Sequence, residues 1–188
     1  MKIVVCIKQV PDTTEVKLDP KTGTLIRDGI PSIINPDDKG GLEYALQLKE
    51  EYGAEVTVIT MGPPQAEAVL REAFAMGADR AILLTSRKFA GADTLATSNA
   101  LAGPLRVLDF DLILAGRQAI DGDTAQVGPQ IAEHLGIPQV SYLEDLKFDG
   151  NKTFRIKKQL EDGYQIVEVE SPCLLTCLAS AVKPRYMS

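Results

Sequence analysis

The sequence has no long apolar run, only three cysteines and one histidine in 188 residues, and more acids than bases. No stretch of about 18 apolar residues is present to span a bilayer. The amino-terminal MKIVVCIKQVPD has too short an apolar run, and no small-residue cleavage site, for a signal peptide. A net charge of −6 offers no bulk attraction to nucleic acid or to an anionic membrane. We therefore expect a cytoplasmic protein with no membrane span and no nucleic-acid partner.

The few cysteines and the single histidine carry no motif of catalysis or metal binding. Cys6 lies in an apolar run, and Cys173 and Cys177 share a spacing that matches no zinc or redox motif. Three buried thiols are the expected outcome, because free cysteine behaves as a small apolar residue. His134 falls in the last turn of a predicted helix, where it complements the helix dipole or faces solvent. We predict no metal site and no catalytic side chain.

What the sequence does have is an alternation of apolar runs and helical patterns. The length and the 45% hydrophobic content predict one globular domain over residues 1–188. Continuous apolar or β-branched runs, typical of strands covered on both faces, occupy 2–7, 55–60, 80–84, 111–115 and 173–178. Helical patterns follow Pro36, cover 66–74 and 95–108, and cover 127–135 up to Gly136, with Gly103-Pro104 expected to end or kink the third. This order predicts an α/β fold: a mainly parallel sheet with helices on both faces.

Two segments depart from the alternation. Residues 16–36 and 146–170 both have the composition of β-rich additions, and the second has the alternating pattern of a hairpin. Neither segment carries a chemical motif of its own.

The run GRQAIDGDTAQVGP (116–129) is a strand-to-helix corner that lacks the lysine of a P-loop. Open α/β sheets bind ligands at such corners, where the helix presents unpaired amides and the positive end of its dipole. Pro129 would break a helix interior, so the helix should begin near residues 126–128. The amides of residues 121–125 are then free of helix bonding and available to a phosphate or pyrophosphate.

The acids of this corner leave alternatives open. Asp121 and Asp123 would repel a phosphate, which favours them as turn or cap residues or as acceptors for ribose hydroxyls. Without any ligand, Asp123 with Gln126 has the spacing of a capping box and Asp121-Gly122 that of a tight turn. Magnesium binding is a further alternative, but the run has too few oxygen ligands for it. A second corner, GADTLATS (91–98), has the same character and could flank the same nucleotide.

Longer motifs carry a resemblance to a known family. MKIVVCIKQVPDT, INP, VITMGPPQAEAVLREAFAMGADRAILL, GADTLATS and GRQAIDGDTAQVGPQIAEHLGIPQV occur in this order, and together they closely resemble the β subunit of electron-transfer flavoproteins. The resemblance implies a larger α-subunit partner that carries an FAD. It also implies a pocket in this subunit that holds a structural AMP in the ordinary branch and a second FAD in the flavin-bifurcating branch. The sequence of residues 116–129 resembles the pattern of the bifurcating branch more than that of the ordinary branch.

The resemblance also implies the site residues and the partners. In the bifurcating branch, the flavin of this subunit takes a hydride from NADH. It sends one electron to ferredoxin or flavodoxin, and the other towards the α-subunit flavin and an acyl-CoA or hydroxyacid dehydrogenase. The amides of Ala125, Gln126 and Val127 would face the phosphate, and Arg117 could place positive charge beside the flavin or pyrophosphate or simply be solvated. The full set of implied nucleotide contacts is Cys6, Met61, Gly91, Ala92, Asp93, Thr94, Thr97, Gly116, Arg117, Gln118, Asp121, Gly122, Asp123, Thr124, Ala125, Gln126, Val127 and Gly128.

The chain departs from the family pattern in two places. Relatives often have an aromatic residue after the Asn-Pro pair, near the α-subunit flavin, where this chain has Asp37. The family also continues into an arm that wraps the partner, which is expected to be absent after Ser188. The main hypothesis is the β subunit of a bifurcating electron-transfer flavoprotein. The alternatives are an ordinary β subunit with AMP and a stand-alone nucleotide-binding regulatory protein.

Overall fold

A computed structural model gives the fold and describes residues 1–12, 20 and 31–187. The strands are β1 (Lys2–Cys6), β2 (Gln9–Pro11), β3 (Ser32–Ile34), β4 (Glu55–Met61), β5 (Arg80–Leu84), β6 (Leu112–Gly116), β7 (Gln139–Phe148), β8 (Thr153–Leu160), β9 (Gly163–Glu170) and β10 (Cys173–Cys177). The helices are α1 (Pro36–Tyr52), α2 (Glu67–Met76), α3 (Thr94–Leu105) and α4 (Val127–Leu135).

Eight of these strands form one sheet in the order β5-β4-β1-β6-β10-β7-β8-β9. The pairs from β5 to β7 are parallel, and β7-β8 and β8-β9 are antiparallel. The sheet is therefore mainly parallel, as predicted, and the five apolar runs form the parallel strands β1, β4, β5, β6 and β10, with β5 at one edge. The short strands β2 and β3 pair with each other apart from this sheet.

Helices cover both faces of the sheet because successive side chains of each buried strand point to opposite sides. In β1, Ile3 and Val5 join one apolar cluster with α1 and α2, whereas Val4 and Cys6 join a second cluster with α3 and α4. The predicted arrangement of helices is confirmed. Cys6, Cys173 and Cys177 are buried free thiols, also as predicted.

The order in which successive strands are added to the sheet reverses beside β1. From β1 the chain runs outward through β4 to β5, then returns through α3 to β6 on the other side of β1. In open α/β sheets, such a reversal leaves a crevice at the carboxyl ends of the two central strands. The fold therefore places the candidate site beyond Cys6 and Gly116.

Helix α3 ends at Leu105, directly after Gly103 and Pro104, as the sequence predicted to within one residue. One sequence-based boundary needs correction. The antiparallel part begins before 146, since β7 starts at Gln139 and continues directly into the pairing with β8. Most of the predicted 16–36 addition lies outside the described residues, and its described end contains β3.

No helix within the described part of the chain is long and apolar enough to cross a membrane.

Candidate nucleotide-binding site

The predicted corner is a loop between β6 and α4, here called the 117–126 loop. Gly116 ends β6 and is buried, and α4 begins at Val127, inside the range that Pro129 predicted. Gly128 is also buried, and a Cβ there would lie 2.7 Å from Thr176 Cγ2 of β10. Helix α4 therefore begins in close contact with the sheet, and the loop lies at its carboxyl edge.

The second half of the loop presents unpaired amides. Gly122 and Asp123 donate to the Ala119 carbonyl at 3.3 and 2.9 Å, which closes a turn. In contrast, the amides of Thr124, Ala125 and Gln126 have no acceptor among the described residues. Of the amides of residues 121–125, which the sequence predicted to be available, those of Asp121, Thr124 and Ala125 have no acceptor among the described residues.

The backbone passes from a left-handed to a right-handed conformation across these amides. Asp123 and Ala125 have φ angles of 50° and 53°, and Gln126 returns to the right-handed region with φ −112° and ψ −29°. Alternation of left- and right-handed residues turns successive N–H groups toward one point, which is a common anion-binding geometry. Left-handed conformations of non-glycine residues cost about 1–3 kcal/mol each, and such strain is concentrated at functional sites.

Both acids of the loop have partners inside the protein. Asp121 Oδ1 accepts from Lys8 Nζ at 2.6 Å, and Asp123 Oδ1 accepts from Gln118 Nε2 at 2.7 Å. The capping-box interpretation is wrong, because Gln126 is the N-cap of α4 and makes no side-chain cap bond. The predicted tight turn at Asp121-Gly122 is present. The acids stabilise the loop instead of capping the helix.

The second predicted corner contacts the first. Asp93 is the N-cap of α3, and its side chain accepts from the Ala96 amide at 2.8 Å, as predicted. Thr94 Oγ1 donates to Gln126 Oε1 at 3.1 Å and accepts from Gln130 Nε2 at 3.4 Å. The amino termini of α3 and α4 therefore lie side by side, both with their positive dipole ends at the same edge.

The remaining predicted residues occupy neighbouring strand ends and turns. Cys6 ends β1 and is 8% exposed, so it can offer backbone but little thiol surface to a ligand. Burial, followed by the charge of Asp38, raises the pKa of Cys6 to about 12. Met61 ends β4 and is half-buried, and Thr97 lies in the first turn of α3. Gly91 has a φ of 73° in the turn before α3, where Ala92 donates to the Phe89 carbonyl.

The first turn of α1 contributes residues that the sequence-based reasoning missed. Asp38 Oδ1 accepts from the Gly116 amide at 2.8 Å, and Asp37 Oδ1 accepts from the Ala179 amide at 2.8 Å. Asn35 Nδ2 donates to the Gln118 carbonyl at 2.8 Å. The only local signal was INPDD, in which two acids at a helix start are ordinarily assigned to the helix dipole.

The sequence comparisons decide the family. The chain matches the family described as "Electron transfer flavoprotein domain" over residues 22–188. It is 65% identical to "Electron transfer flavoprotein subunit beta" of Clostridium acetobutylicum, over 100% of this chain and 72% of that protein. The chain belongs to the electron transfer flavoprotein family, as a β subunit.

Two further relatives are also more than half identical to this chain. "Caffeyl-CoA reductase-Etf complex subunit CarD" of Acetobacterium woodii is 61% identical. "Acryloyl-CoA reductase electron transfer subunit gamma" of Anaerotignum propionicum is 54% identical. Each match covers 100% of this chain and 72% of the relative.

Within this electron transfer flavoprotein β subunit, Arg117 is not a solvated arginine. Its Nε lies 3.4 Å from Asp37 Oδ2, an ion pair without hydrogen-bond geometry, and the side chain is 32% exposed. The guanidinium therefore sits at the edge of the site with its charge partly balanced by the residue that replaces the expected aromatic.

A separate cleft of about 340 Å³ lies away from this loop. It is formed by the second half of α1 and the end of β7, and its lining includes Tyr44, Tyr52, Lys147 and Phe148. Because α1 covers the face opposite to α3 and α4, this cleft is not part of the candidate nucleotide site.

Proposed function

We propose that this β subunit binds FAD at the 117–126 loop and acts in a flavin-bifurcating electron transfer flavoprotein. In this role the heterodimer takes electrons from NADH and sends them both to ferredoxin or flavodoxin and to an acyl-CoA or hydroxyacid dehydrogenase. A second FAD lies on the α subunit. The observation that carries the proposal is the set of unpaired amides at Thr124, Ala125 and Gln126, where the backbone passes from left-handed at Ala125 to right-handed at Gln126.

The residues of the loop fit the pyrophosphate of a dinucleotide. Backbone amides at a helix amino terminus favour anions through both hydrogen bonds and the helix dipole. Gly122 is exposed, and no atom lies within 4 Å of the position where its Cβ would be, which leaves room for a ligand. Asp121 and Asp123 are held by Lys8 and Gln118, so their charges are partly balanced before any ligand arrives.

Each part of the site has a task that needs no acid, base or nucleophile from the protein. The amides of Ala125, Gln126 and Val127 hold the phosphates, and Thr94 with Thr97 lies where α3 meets α4. Arg117 supplies positive charge beside the redox-active part of the ligand. A flavin held at this loop would supply the hydride and single-electron chemistry, and the protein would supply its position and electrostatic environment.

The names of the similar proteins favour this function over the ordinary branch. Two relatives that the whole chain matches are named as electron-transfer parts of a caffeyl-CoA reductase complex and of an acryloyl-CoA reductase. The alternative is a β subunit that holds AMP in the same loop and has only a structural role. The same amides would serve either ligand, because both carry a phosphate.

Coupled reduction separates the two functions. The complex of this chain with its α subunit is mixed with NADH, ferredoxin and the partner dehydrogenase. Bifurcation predicts that ferredoxin is reduced only when the acceptor substrate of the dehydrogenase is added, because the two electron transfers are linked. Reduction of the dehydrogenase without any ferredoxin reduction would support the ordinary branch instead.

A further inference from the structure

Asp38 connects two strand ends at the point where the chain direction reverses. Its Oδ1 accepts from the Gly116 amide and its Oδ2 from the Lys8 amide, both at 2.8 Å. The residue is 7% exposed. One carboxylate therefore joins the end of β6 to the residues that follow β1, immediately before the 117–126 loop begins.

The fit between Asp38 and the loop is close. A Cβ on Gly116 would lie 2.2 Å from Asp38 Oδ1, well inside van der Waals contact. Asn35, which is fully buried, adds a bond from Nδ2 to the Gln118 carbonyl at 2.8 Å and accepts from the Ile120 amide at 3.0 Å. The first half of the loop is thus bonded to the start of α1, whereas the second half is free to face a ligand.

The same two strands are joined differently at their opposite ends. Asp111 Oδ2 accepts from the Lys2 amide at 2.7 Å, which connects β1 to the residue before β6 at the amino edge of the sheet. This carboxylate has a similar kind of bond but lies a full strand length from the loop. Asp111 is therefore a matched control for the effect of joining β1 to β6 through a carboxylate without contact to the loop.

We propose that Asp38 is a positioning residue for adenine-nucleotide binding. By fixing both strand ends it sets where the loop starts, and so the direction in which the amides of Thr124, Ala125 and Gln126 face. The inference rests on the proposed function, because it takes the ligand of the loop to be that nucleotide. Asp38 acts through the loop backbone, and no contact with the ligand is required of it.

The surroundings of Asp38 place its pKa in a range where its protonation changes near neutral pH. The titratable groups near it are Asp37 on α1, Lys8 and Cys6 at the end of β1, Arg117 after β6 and Cys177 on β10. Burial raises the pKa of Asp38 to about 7, although the amides of Lys8 and Gly116 lower it. Burial also raises the pKa values of Cys6 and Cys177, so neither thiol is charged near neutral pH.

Protonation weakens a carboxylate as a hydrogen-bond acceptor, because charge-assisted bonds are about twice as strong as neutral ones. As the pH falls from 8 to 6, Asp38 holds the two amides less strongly. We therefore expect the affinity of the loop for FAD to fall over this range. FAD is the suitable probe because its pyrophosphate does not titrate there.

The test is equilibrium titration of the flavin-free αβ complex with FAD at pH 6, 7 and 8. The wild type, Asp38→Asn and Asp111→Asn are compared, and the flavin equivalent bound by the α subunit is the internal reference. We expect Asp38→Asn to raise the Kd of the β site at least tenfold at pH 8 and to abolish its pH dependence. Asp111→Asn should keep the wild-type Kd and pH dependence, while both variants lower the urea midpoint of unfolding.

Other outcomes separate this inference from the proposed function. If both variants bind FAD equally well, Asp38 has only a structural role and the inference fails, but the proposed function stands. If wild-type β sites do not take up FAD, the proposed function fails and the inference with it. If Asp38→Asn does not fold, the wild-type profile still decides, since an affinity that is flat between pH 6 and 8 contradicts the inference.

Discussion

At the scale of single residues, the site depends on which groups are already satisfied. The side chains of Asp121 and Asp123 are bonded to Lys8 and Gln118, whereas the amides that follow them are free. The acids therefore stabilise a loop whose backbone is the proposed binding surface. A substitution at Gly122 can test this without disturbing the fold, because the glycine is exposed, lies between the two acids and contacts nothing within 4 Å of its missing Cβ.

Gly122→Asp should weaken FAD binding at the β site by at least tenfold, because it adds an unbalanced negative charge beside the phosphate cradle. Gly122→Asn is the matched control, with nearly the same shape and no charge, and should bind FAD within about threefold of the wild type. Both variants should unfold within about 0.5 kcal/mol of the wild type, as for other exposed positions. FAD titration and urea unfolding measure these two quantities. Equal FAD affinity in the two variants would count against a phosphate at this loop.

Asp38 also predicts a pH dependence of stability. Its pKa is about 7 in the folded protein and near 3.8 when unfolded, so the folded state binds the proton more tightly between these values. The stabilising contribution is complete below about pH 4 and is lost as the pH rises through 7. The free energy of unfolding of the wild type, minus that of Asp38→Asn, should therefore be larger at pH 5 than at pH 8. A difference that does not change with pH would show that Asp38 is ionised throughout.

At the scale of elements, the sequence predicted the strands whose packing is uniform. The runs that became β1, β4, β5, β6 and β10 are continuously apolar because helices cover both of their faces. The first half of β7, QVSYL, was missed because polar residues interrupt it, so that it forms no continuous apolar run. Its pairing changes from parallel with β10 to antiparallel with β8, and Tyr142, at a φ of 62°, lies where it changes. A one-dimensional pattern does not contain such a change of partner.

The candidate site, like the strands, could be predicted from the sequence only in part. The two helix-start corners could be placed together because parallel strands share one carboxyl edge, and the bond between Thr94 and Gln126 confirms that they meet. The contributions of Asn35 and Asp38 could not be predicted from the sequence. Asp38 bonds to Gly116, 78 residues away, and nothing in the local sequence indicates that pairing. The capping box was wrong for a different, local reason: Asp123 accepts from Gln118 in the same loop, and Gln126 is itself the N-cap of α4.

The antiparallel extension should contribute to stability but not to nucleotide binding. Phe154 of β8 is fully buried and stacks on Phe148 with ring centroids 4.7 Å apart. Phe154→Ala should lower the free energy of unfolding by about 3–5 kcal/mol. Phe74→Ala in α2, where the ring is 47% exposed, is the control and should cost about 1 kcal/mol or less. Urea unfolding gives both values. FAD affinity at pH 8 should be unchanged in any variant that remains folded. A folded Phe154→Ala variant with weakened FAD binding would contradict this division of roles.

At the scale of the whole molecule, the fold separates a nucleotide edge from the rest of the surface. The carboxyl ends of β1, β4 and β6 and the starts of α3 and α4 meet at one edge. The aromatic-lined cleft between α1 and β7 lies on the face that α3 and α4 do not cover. In the proposed function, this edge would hold the nucleotide, and the flavins would supply the redox chemistry.

The identity of that nucleotide is the central claim, and the cofactor content of the purified αβ complex tests it most directly. The complex is denatured, and the released FAD and AMP are separated and counted against protein concentration. We predict two FAD and no AMP for each heterodimer. One FAD and one AMP for each heterodimer would contradict FAD binding by this subunit, because the unpaired amides of the loop would then hold a structural nucleotide.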